Sequence, residues 1–295
     1  MKGIILAAGK GTRLYPCTLP VCKPLLPVYD KPMIYYPLSM LMKAGIREIL
    51  IIVPEGETET FERLFGHGEK LGLEIQYAEQ PVQRGIADAF LIGESFIGSD
   101  CVCLALGDNI CYGPAFRWTL RRMGNRVREK GGAGIFGYYV ADPRPFGVVE
   151  FDPNGRVISL EEKPLIPKSH YIVPGLYFYD PQVVAFAKAL EPSSRGELEI
   201  TAVNERYLEQ GQLRVHALDA EYTWFDAGTA ERLYEAAGAI KSAQRSGVMI
   251  GCIEEIALDN QWITLEQLAA GAASLHQTRY GQYLEALVED RAEEQ

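Results

Sequence analysis

The chain has 295 residues, 47% hydrophobic and 23% charged, a make-up that fits a soluble globular protein and excludes disorder as the main state. Its 29 Lys and Arg face 39 Asp and Glu, a net charge of −10 that argues against broad contact with nucleic acid or an anionic membrane. No apolar run reaches the roughly 18 residues of a membrane span and no basic-then-apolar leader is seen, so a cytoplasmic protein is expected.

Along the chain, short β-branched apolar runs alternate with helix-period segments. Residues 2–7 read as a buried strand, 32–44 as a helix stopped by Gly45, and 48–53 as a second strand ended by Pro54. Residues 58–65 read as helix, 73–78 as strand and 85–96 as helix. A fourth strand at 101–106 runs into the turn Gly107-Asp108-Asn109. This alternation predicts an α/β fold with a mainly parallel sheet flanked by helices. Right-handed crossovers then gather the strand C-terminal ends on one edge, where ligands bind in such sheets. Segments 8–13, 80–85 and 107–109 fall on that edge. From Gly134 strands are expected at 134–140, 147–151, 156–161 and 172–179, helices at 181–190 and 197–209, and strands at 213–217 and 222–225. The rest, from Thr229, reads as mostly helical. One core over 1–245 that includes a strand-rich insertion is expected, followed by a helical extension over 246–295 serving assembly or regulation. The acidic end of that extension (Glu285, Glu289, Asp290, Glu293, Glu294) is expected to fray.

Charge and chemistry-bearing residues are unevenly spread. Residues 1–35 carry Lys2, Lys10, Arg13, Lys23 and Lys31 against the single acid Asp30, which suits a small, highly charged anion or a solvated face. The six cysteines include no Cys-x-x-Cys and read as buried free thiols, with Cys101 and Cys103 on one face of a strand. His67, His170, His216 and His276 are scattered, which argues against a zinc site.

Four segments carry chemistry. Leu6-Ala7-Ala8-Gly9-Lys10-Gly11-Thr12-Arg13-Leu14 follows the first strand. Leu14 replaces the third glycine of a dinucleotide fingerprint, and the Gly-Lys-Ser/Thr ending of a P-loop is absent. What remains is a small-residue loop whose backbone N–H groups can approach a polyphosphate, with Arg13 and Lys23 as cations, or else a tight glycine turn with solvated charges. Asp108, at the end of the fourth strand, can hold Mg²⁺ against phosphates or can simply bond its own turn. Asp226, in Trp224-Phe225-Asp226-Ala227-Gly228-Thr229, is a second Mg²⁺ carboxylate only if it folds back beside Asp108; otherwise it is a helix cap. In Ser159-Leu160-Glu161-Glu162-Lys163-Pro164 the two glutamates point to opposite strand faces, so one can face a sugar while the other faces solvent.

Together these segments resemble the sugar-1-phosphate nucleotidyltransferases, and among them the thymidylyl-transferring members. The resemblance is carried in order by the Gly-x-Gly-Thr-Arg loop with Lys23, by Tyr29-Asp30-Lys31-Pro32-Met33-Ile34-Tyr35-Tyr36-Pro37-Leu38, by Leu106-Gly107-Asp108-Asn109 and by Phe146-Gly147-Val148-Val149-Glu150-Phe151. It continues through Glu161-Glu162-Lys163-Pro164, Gly175-Leu176-Tyr177-Phe178-Tyr179-Asp180, Arg195-Gly196-Glu197-Leu198-Glu199-Ile200-Thr201 and Tyr280-Gly281-Gln282-Tyr283-Leu284, so it spans nearly the whole chain.

The resemblance implies a nucleotide-diphospho-sugar transferase fold, with a nucleotide-binding sheet and an inserted sugar-binding layer. It implies dTTP and glucose 1-phosphate as substrates, and dTDP-glucose for rhamnose or deoxysugar biosynthesis as product. Mg²⁺ would be the cofactor. The assembly would be a homotetramer, inhibited by a downstream dTDP-sugar. It places Ala8, Gly9, Gly11, Thr12, Arg13 and Lys23 on the nucleoside triphosphate, and Gln80 and Gly85 on the pyrimidine edge. Asp108 and Asp226 would bind Mg²⁺. Asn109, Gly147, Glu162 and Val173 would line the sugar site, and Lys163 and Arg195 would hold the sugar phosphate. Arg13, Lys23, Asp108, Lys163 and Asp226 form the expected catalytic set. The chain departs from the thymidylyl pattern at Ala8 (usually Gly), at Pro24 (usually Gln) and in the base loop Gln80-Pro81-Val82-Gln83-Arg84-Gly85. These departures leave a uridylyltransferase as the alternative. A noncatalytic nucleotide-sugar sensor and a nicotinamide dehydrogenase are the readings from other classes.

Overall fold

The computed structural model describes residues 1–293, so Glu294 of the expected frayed end lies outside the described residues. The strands are β1 (Lys2–Leu6), β2 (Pro27–Val28), β3 (Lys31–Pro32), β4 (Glu48–Pro54), β5 (Glu74–Gln80), β6 (Val102–Leu106) and β7 (Asn109–Tyr112). They continue with β8 (Ala133–Tyr139), β9 (Gly147–Phe151), β10 (Val157–Glu162), β11 (Tyr171–Ile172), β12 (Leu176–Tyr179), β13 (Leu213–Ala217) and β14 (Thr223–Asp226). The helices are α1 (Tyr35–Lys43), α2 (Thr58–Phe65), α3 (Asp88–Ile92), α4 (Glu94–Ile97), α5 (Phe116–Lys130) and α6 (Val183–Lys188). After these come α7 (Ile200–Glu209), α8 (Ala230–Arg245), α9 (Ile253–Asp259), α10 (Leu265–Ala273) and α11 (Arg279–Glu293).

A ten-stranded sheet in the order β10-β9-β11-β8-β12-β6-β1-β4-β5, with β13 beside β8, forms the centre. Its β6-β1-β4-β5 half is parallel throughout. The insertion extends the same sheet: β12 runs antiparallel between β6 and β8, and β9, β10 and β11 pair antiparallel beyond them. The apolar runs explain the burial. Successive strand side chains point to opposite faces, so a strand covered on both faces must be apolar throughout. Ile4, Leu50, Ile52, Val102 and Leu104 enter the core on one face of the sheet. Ile5, Ile49, Ile51, Val53, Cys103 and Ala105 enter the core on the other. Each fully buried aliphatic side chain contributes about 1.5–3 kcal/mol.

Register fixes the functional edge. Leu6 is level with Ile52 and with Leu106, so the segments after residues 6 and 106 leave the sheet together. The Gly107 N–H donates to the Leu6 carbonyl at 2.9 Å, and the Leu106 N–H donates to the Gly175 carbonyl at 2.9 Å.

Several expected boundaries move for local reasons. Lys31 and Pro32 are taken by a small ladder with β2, so the first helix starts at Tyr35 and not at residue 32. The helix expected over 85–96 begins at Asp88 and breaks at Gly93 into α3 and α4. The strand expected over 172–179 is interrupted at Pro174-Gly175. Helix α5 is not among the elements expected from the sequence. Its arginines mask an apolar stripe, with Phe116, Leu120, Met123 and Val127 buried. All six cysteines are free, and Cys101 packs on the same core as Cys103, as expected; Cys17 is exposed and Cys22 and Cys101 are only half-buried, short of the burial expected of them. The acidic C-terminal segment is helical through Glu293, not frayed over the described residues.

The segment after Arg245 shares the core of the main body. Cys252, Ile253, Ile256, Ala257, Tyr280, Leu284 and Leu287 are buried in the cluster that holds Ile5 and Ile49. Among the described residues no helix is long and apolar enough to cross a membrane.

Candidate active site

Beyond β1 the chain turns through Gly9-Lys10-Gly11-Thr12-Arg13. Gly11 has φ 63°, and a Cβ there would meet Lys23 Cβ and Thr18 Cγ2, each at 3.0 Å. The loop therefore needs glycine both for its backbone and for its closeness to the lysine segment. The Thr18 hydroxyl donates to the Gly11 carbonyl at 2.7 Å and ties the two together. A cavity of about 470 Å³ opens on this loop, lined by Gly9, Lys10, Gly11, Thr12, Arg13 and Lys23, with Pro24, Gln83, Asp108 and Glu197 around it.

Asp226 does fold back beside Asp108. Strand β14 pairs antiparallel with β7, which sets Asp226 opposite Asn109, and the Ala227 N–H donates to the Asp108 carbonyl at 3.0 Å. Cations surround both carboxylates. Lys23 Nζ, nearly buried, donates to Asp108 Oδ2. Arg232 Nη1 donates to Asp226 Oδ2 at 2.8 Å. Arg13 closes the group: a Cβ on Gly228 would lie 2.7 Å from both Arg13 Nη2 and Asp226 Oδ1. Burial works against ionisation of both acids. At Asp108 the Lys23 charge, with hydrogen bonds from Lys23 and the Asn109 amide, outweighs burial and holds the carboxyl below its ordinary range. At Asp226 burial and then the Asp108 charge push the carboxyl up, opposed by Lys23, Arg232 and Arg13.

A second cavity of about 250 Å³ adjoins the first, and Arg13, Asp108, Asn109, Gly147, Glu162, Lys163, Val173 and Asp226 are among its lining residues. Sheet register assembles its far wall. Gly147 stands opposite Glu162 in the β9–β10 ladder, and the Val173 N–H donates to the Gly147 carbonyl at 2.9 Å. The two glutamates diverge as strand geometry requires. Glu162 faces the cavity and accepts from the Thr201 hydroxyl at 2.5 Å, while Glu161 pairs with Lys168 at 2.5 Å. Lys163 follows with φ 46°, a left-handed conformation that is uncommon outside glycine, and its N–H donates to the Phe146 carbonyl at 3.0 Å. Its Nζ lies 3.7 Å from Glu162 Oε1.

Some expected residues sit otherwise. Gln80 is buried, donates to Asp88 Oδ2 at 2.9 Å and does not line the loop cavity; Gln83 lines it and donates to the Ala8 carbonyl at 2.7 Å. Gly85 is packed against the backbone of Leu198, whose oxygen would be 2.5 Å from an added Cβ. Ala8 is buried behind the loop. Arg195 lies beside the second cavity, bonded to Glu199 at 2.8 Å and 3.4 Å from Glu162. The Asn109 carboxamide is committed to the protein: it donates to Asp108 and its oxygen accepts from the Gly175 N–H and Trp224 Nε1. Arg232, Thr201, Gln83 and Trp224 were not singled out from the sequence as site residues. Thr201 and Asn204, three apart on α7, both line the second cavity, and that helical spacing was the available signal. Nothing in the local sequence marks Arg232, because its pairing depends on where α8 starts.

Comparison with known proteins shows the family. The profile of the nucleotidyl transferase family matches residues 2–243. A glucose-1-phosphate thymidylyltransferase of Neisseria gonorrhoeae is 53% identical over 98% of this chain and 99% of its own length. One from Mycolicibacterium smegmatis is 50% identical over 98% and 99% of the two chains. A solved Bacillus anthracis structure, described as a glucose-1-phosphate thymidylyltransferase in complex with sucrose, superposes with a TM-score of 0.74 at 39% identity, covering 81% of this chain and 94% of that one. A UDP-glucose pyrophosphorylase bound to UDP-glucose shares the fold, with a TM-score of 0.72 at 24% identity over 82% of this chain and 98% of that one. With a family profile over most of its length and relatives at half identity end to end, the chain belongs to the nucleotidyl transferase family, among the glucose-1-phosphate thymidylyltransferases.

Proposed function

We propose that this protein transfers a thymidylyl group from dTTP to α-D-glucose 1-phosphate, giving dTDP-glucose and pyrophosphate. One observation carries the reading: the loop cavity and the second cavity share Arg13, Ile86, Leu106 and Asp108. A triphosphate on the loop and a sugar phosphate in the second cavity meet at that junction. An oxygen of the sugar phosphate forms a bond to the α-phosphorus, the bridging bond to the β-phosphate breaks, and pyrophosphate leaves with the electron pair. The attacking oxygen is already an anion, so the step needs neither a general base nor a protein nucleophile. In keeping with this, no His or Cys lines either cavity among the described residues.

The chain contributes position and charge. Lys10, Arg13 and Lys23 neutralise the triphosphate and the departing pyrophosphate. Lys163 holds the incoming phosphate. Glu162, fixed by Thr201, accepts from sugar hydroxyls. Asn109 orients Asp108.

Asp108 and Asp226 are the residues that would hold Mg²⁺. Among the described residues no three His, Cys, Asp or Glu side chains gather into a protein-only metal site. A pair of carboxylates at the substrate junction is the donor set Mg²⁺ accepts when phosphates and water complete its shell. When bound, the ion supplies charge neutralisation and polarisation of the α-phosphoryl group. A homotetramer belongs to the same proposal, rests on family membership alone, and is tested by sedimentation velocity.

The test is a product assay with dTTP, UTP, CTP, ATP and GTP competing for glucose 1-phosphate in the presence of Mg²⁺. The expected main product is dTDP-glucose. UDP-glucose as the main product transfers the reading to a uridylyltransferase, and absence of any nucleotide sugar overturns it.

A further inference from the structure

A third cavity, of about 190 Å³, lies between α5 and β13, lined by Thr119, Arg122, Met123, Arg126, Arg214 and His216. None of these residues lines either substrate cavity. The polar ones converge by construction. Arg122 and Arg126 are four apart on α5 and share a helix face. Arg214 and His216 are two apart on β13 and share a strand face. Pairing of β13 with β8 sets them level with Gly134 and Phe136. Two of the four groups are fixed in advance. Arg214 Nη1 donates to the Gly131 carbonyl at 2.7 Å, and the His216 ring stands edge-on to Phe136, 6.2 Å between centroids.

The charge around this cavity is not balanced. Among the described residues no carboxylate pairs with Arg122, Arg126 or Arg214, in a chain of net charge −10. Elsewhere on the same helix the arginines do find partners: Arg117 pairs with Asp259 and Arg121 donates to Asn260. Burial and the Arg122 charge lower the basicity of His216, with only Asp219 opposing. Asp219 is itself held by the Glu221 N–H at 3.0 Å. Guanidinium forks that face one small cavity without an acid match the geometry of a phosphoryl group.

We propose that this cavity binds a small phosphate-class oxyanion, held by Arg122, Arg126 and Arg214 with His216 at its edge. Inorganic phosphate, pyrophosphate and the phosphate end of a nucleotide share that chemistry. The proposal does not depend on the reaction assigned to the other site.

His216 supplies a local reporter, because the chain has four histidines and none lines the substrate cavities. The Cε1–H resonance of His216, assigned with His216→Gln, is followed by NMR in the full-length protein during separate titrations with phosphate, pyrophosphate, dTTP and sodium chloride of matched ionic strength. The expected result is a saturable shift with at least one phosphate-class ligand and none with chloride; the strongest ligand identifies the source. Arg122→Gln/Arg126→Gln removes two of the three guanidiniums and should weaken that apparent affinity at least about tenfold, the floor set by losing even one charge-assisted hydrogen bond. Should the double variant not fold, Arg126→Gln alone, at an exposed position, makes the same comparison. A His216 shift that chloride reproduces, or an affinity unchanged in a folded variant, overturns the proposal.

Discussion

Asp226 stands opposite Asn109 in the β7–β14 ladder, and this pairing, with the Ala227 N–H on the Asp108 carbonyl, brings its carboxylate beside that of Asp108. The ladder is only four residues long on each side. It has a large consequence because the two acids meet inside a ring of Lys23, Arg13 and Arg232. The like charges make opposite demands on the fold, which leads to the first prediction.

Asp108→Asn and Asp226→Asn should differ in stability while both impair turnover. Asp108 has its carboxyl held below the ordinary range, so its ionised form stabilises the fold above that range, and this contribution fades as pH falls through the lowered value. Asn at this position also leaves the nearly buried Lys23 without its acid, a loss of about 1–3 kcal/mol. Asp226 has a raised carboxyl, so its charge opposes folding at neutral pH and protonation relieves it as pH falls. Asp226→Asn in EDTA at pH 7 should therefore cost clearly less stability than Asp108→Asn, even with Arg232 unpaired. Equal losses of Tm would contradict the opposed roles. With Mg²⁺ and substrates, Asp108→Asn should lower kcat at least about 100-fold, since a metal ligand supplies several kcal/mol of transition-state stabilisation. Near-normal turnover at saturating Mg²⁺ would remove Asp108 from the chemistry.

Lys163→Ala should raise KM for glucose 1-phosphate far more than KM for the nucleotide. Both residues adopt the φ 46° backbone at similar strain, so the substitution isolates the side chain from the turn. Equal changes in both constants would mean that Lys163 acts through folding.

Thr201→Val tests how the second cavity is held. The substitution removes the hydroxyl that donates to Glu162 Oε2 but keeps the shape. Glu162 then loses its fixed orientation, and KM for the sugar phosphate should rise roughly 5- to 10-fold, the worth of about 1–1.5 kcal/mol of hydrogen bonding. Binding of dTTP measured without sugar should be unchanged. A parallel loss of dTTP affinity would show that Thr201 supports the fold and not the sugar wall.

How far the sequence reaches is visible at particular residues. The parallel half of the sheet was legible because its strands are unbroken apolar runs, and period 2 sorts Ile4 from Ile5 into opposite cores. The loop after β1 and the divergence of Glu161 from Glu162 followed from local geometry. Helix α5 was not legible, because its arginines lower the mean hydropathy while a narrow stripe does the packing. The meeting of Asp108 with Asp226 could be posed but not decided, since it depends on a long-range ladder that no local pattern encodes. The inward turn of Gln80 was not legible for a related reason. Its partner Asp88 lies on a helix that starts three residues later than the glycine pattern suggested, and the side chain turns inward to meet it.

The position of Gln80 bears on base choice. Pro24 and Gln83 both line the loop cavity, whereas Gln80 is buried against Asp88. The thymidylyl pattern that the sequence resembles implies glutamine where this chain has Pro24, so that wall lacks the implied amide while another is present at Gln83. The substrates dTTP and UTP differ by a 5-methyl and a 2′-hydroxyl, and one methyl is worth only about 1–3 kcal/mol, or roughly 10–200-fold. A dTTP preference with measurable UTP turnover is therefore expected. Pro24→Gln should shift the dTTP/UTP ratio of kcat/KM measured in competition. Gln83→Ala should shift it too, and it also frees the Ala8 carbonyl that holds the amide in place. If Pro24→Gln leaves the ratio untouched while Gln83→Ala moves it, the base is read from the 80–85 loop alone. If neither variant moves it, discrimination comes from the backbone of the loop, and side chains at 24 and 83 serve only to shape the cavity. UTP as the better substrate of the unaltered protein would overturn the thymidylyl reading itself.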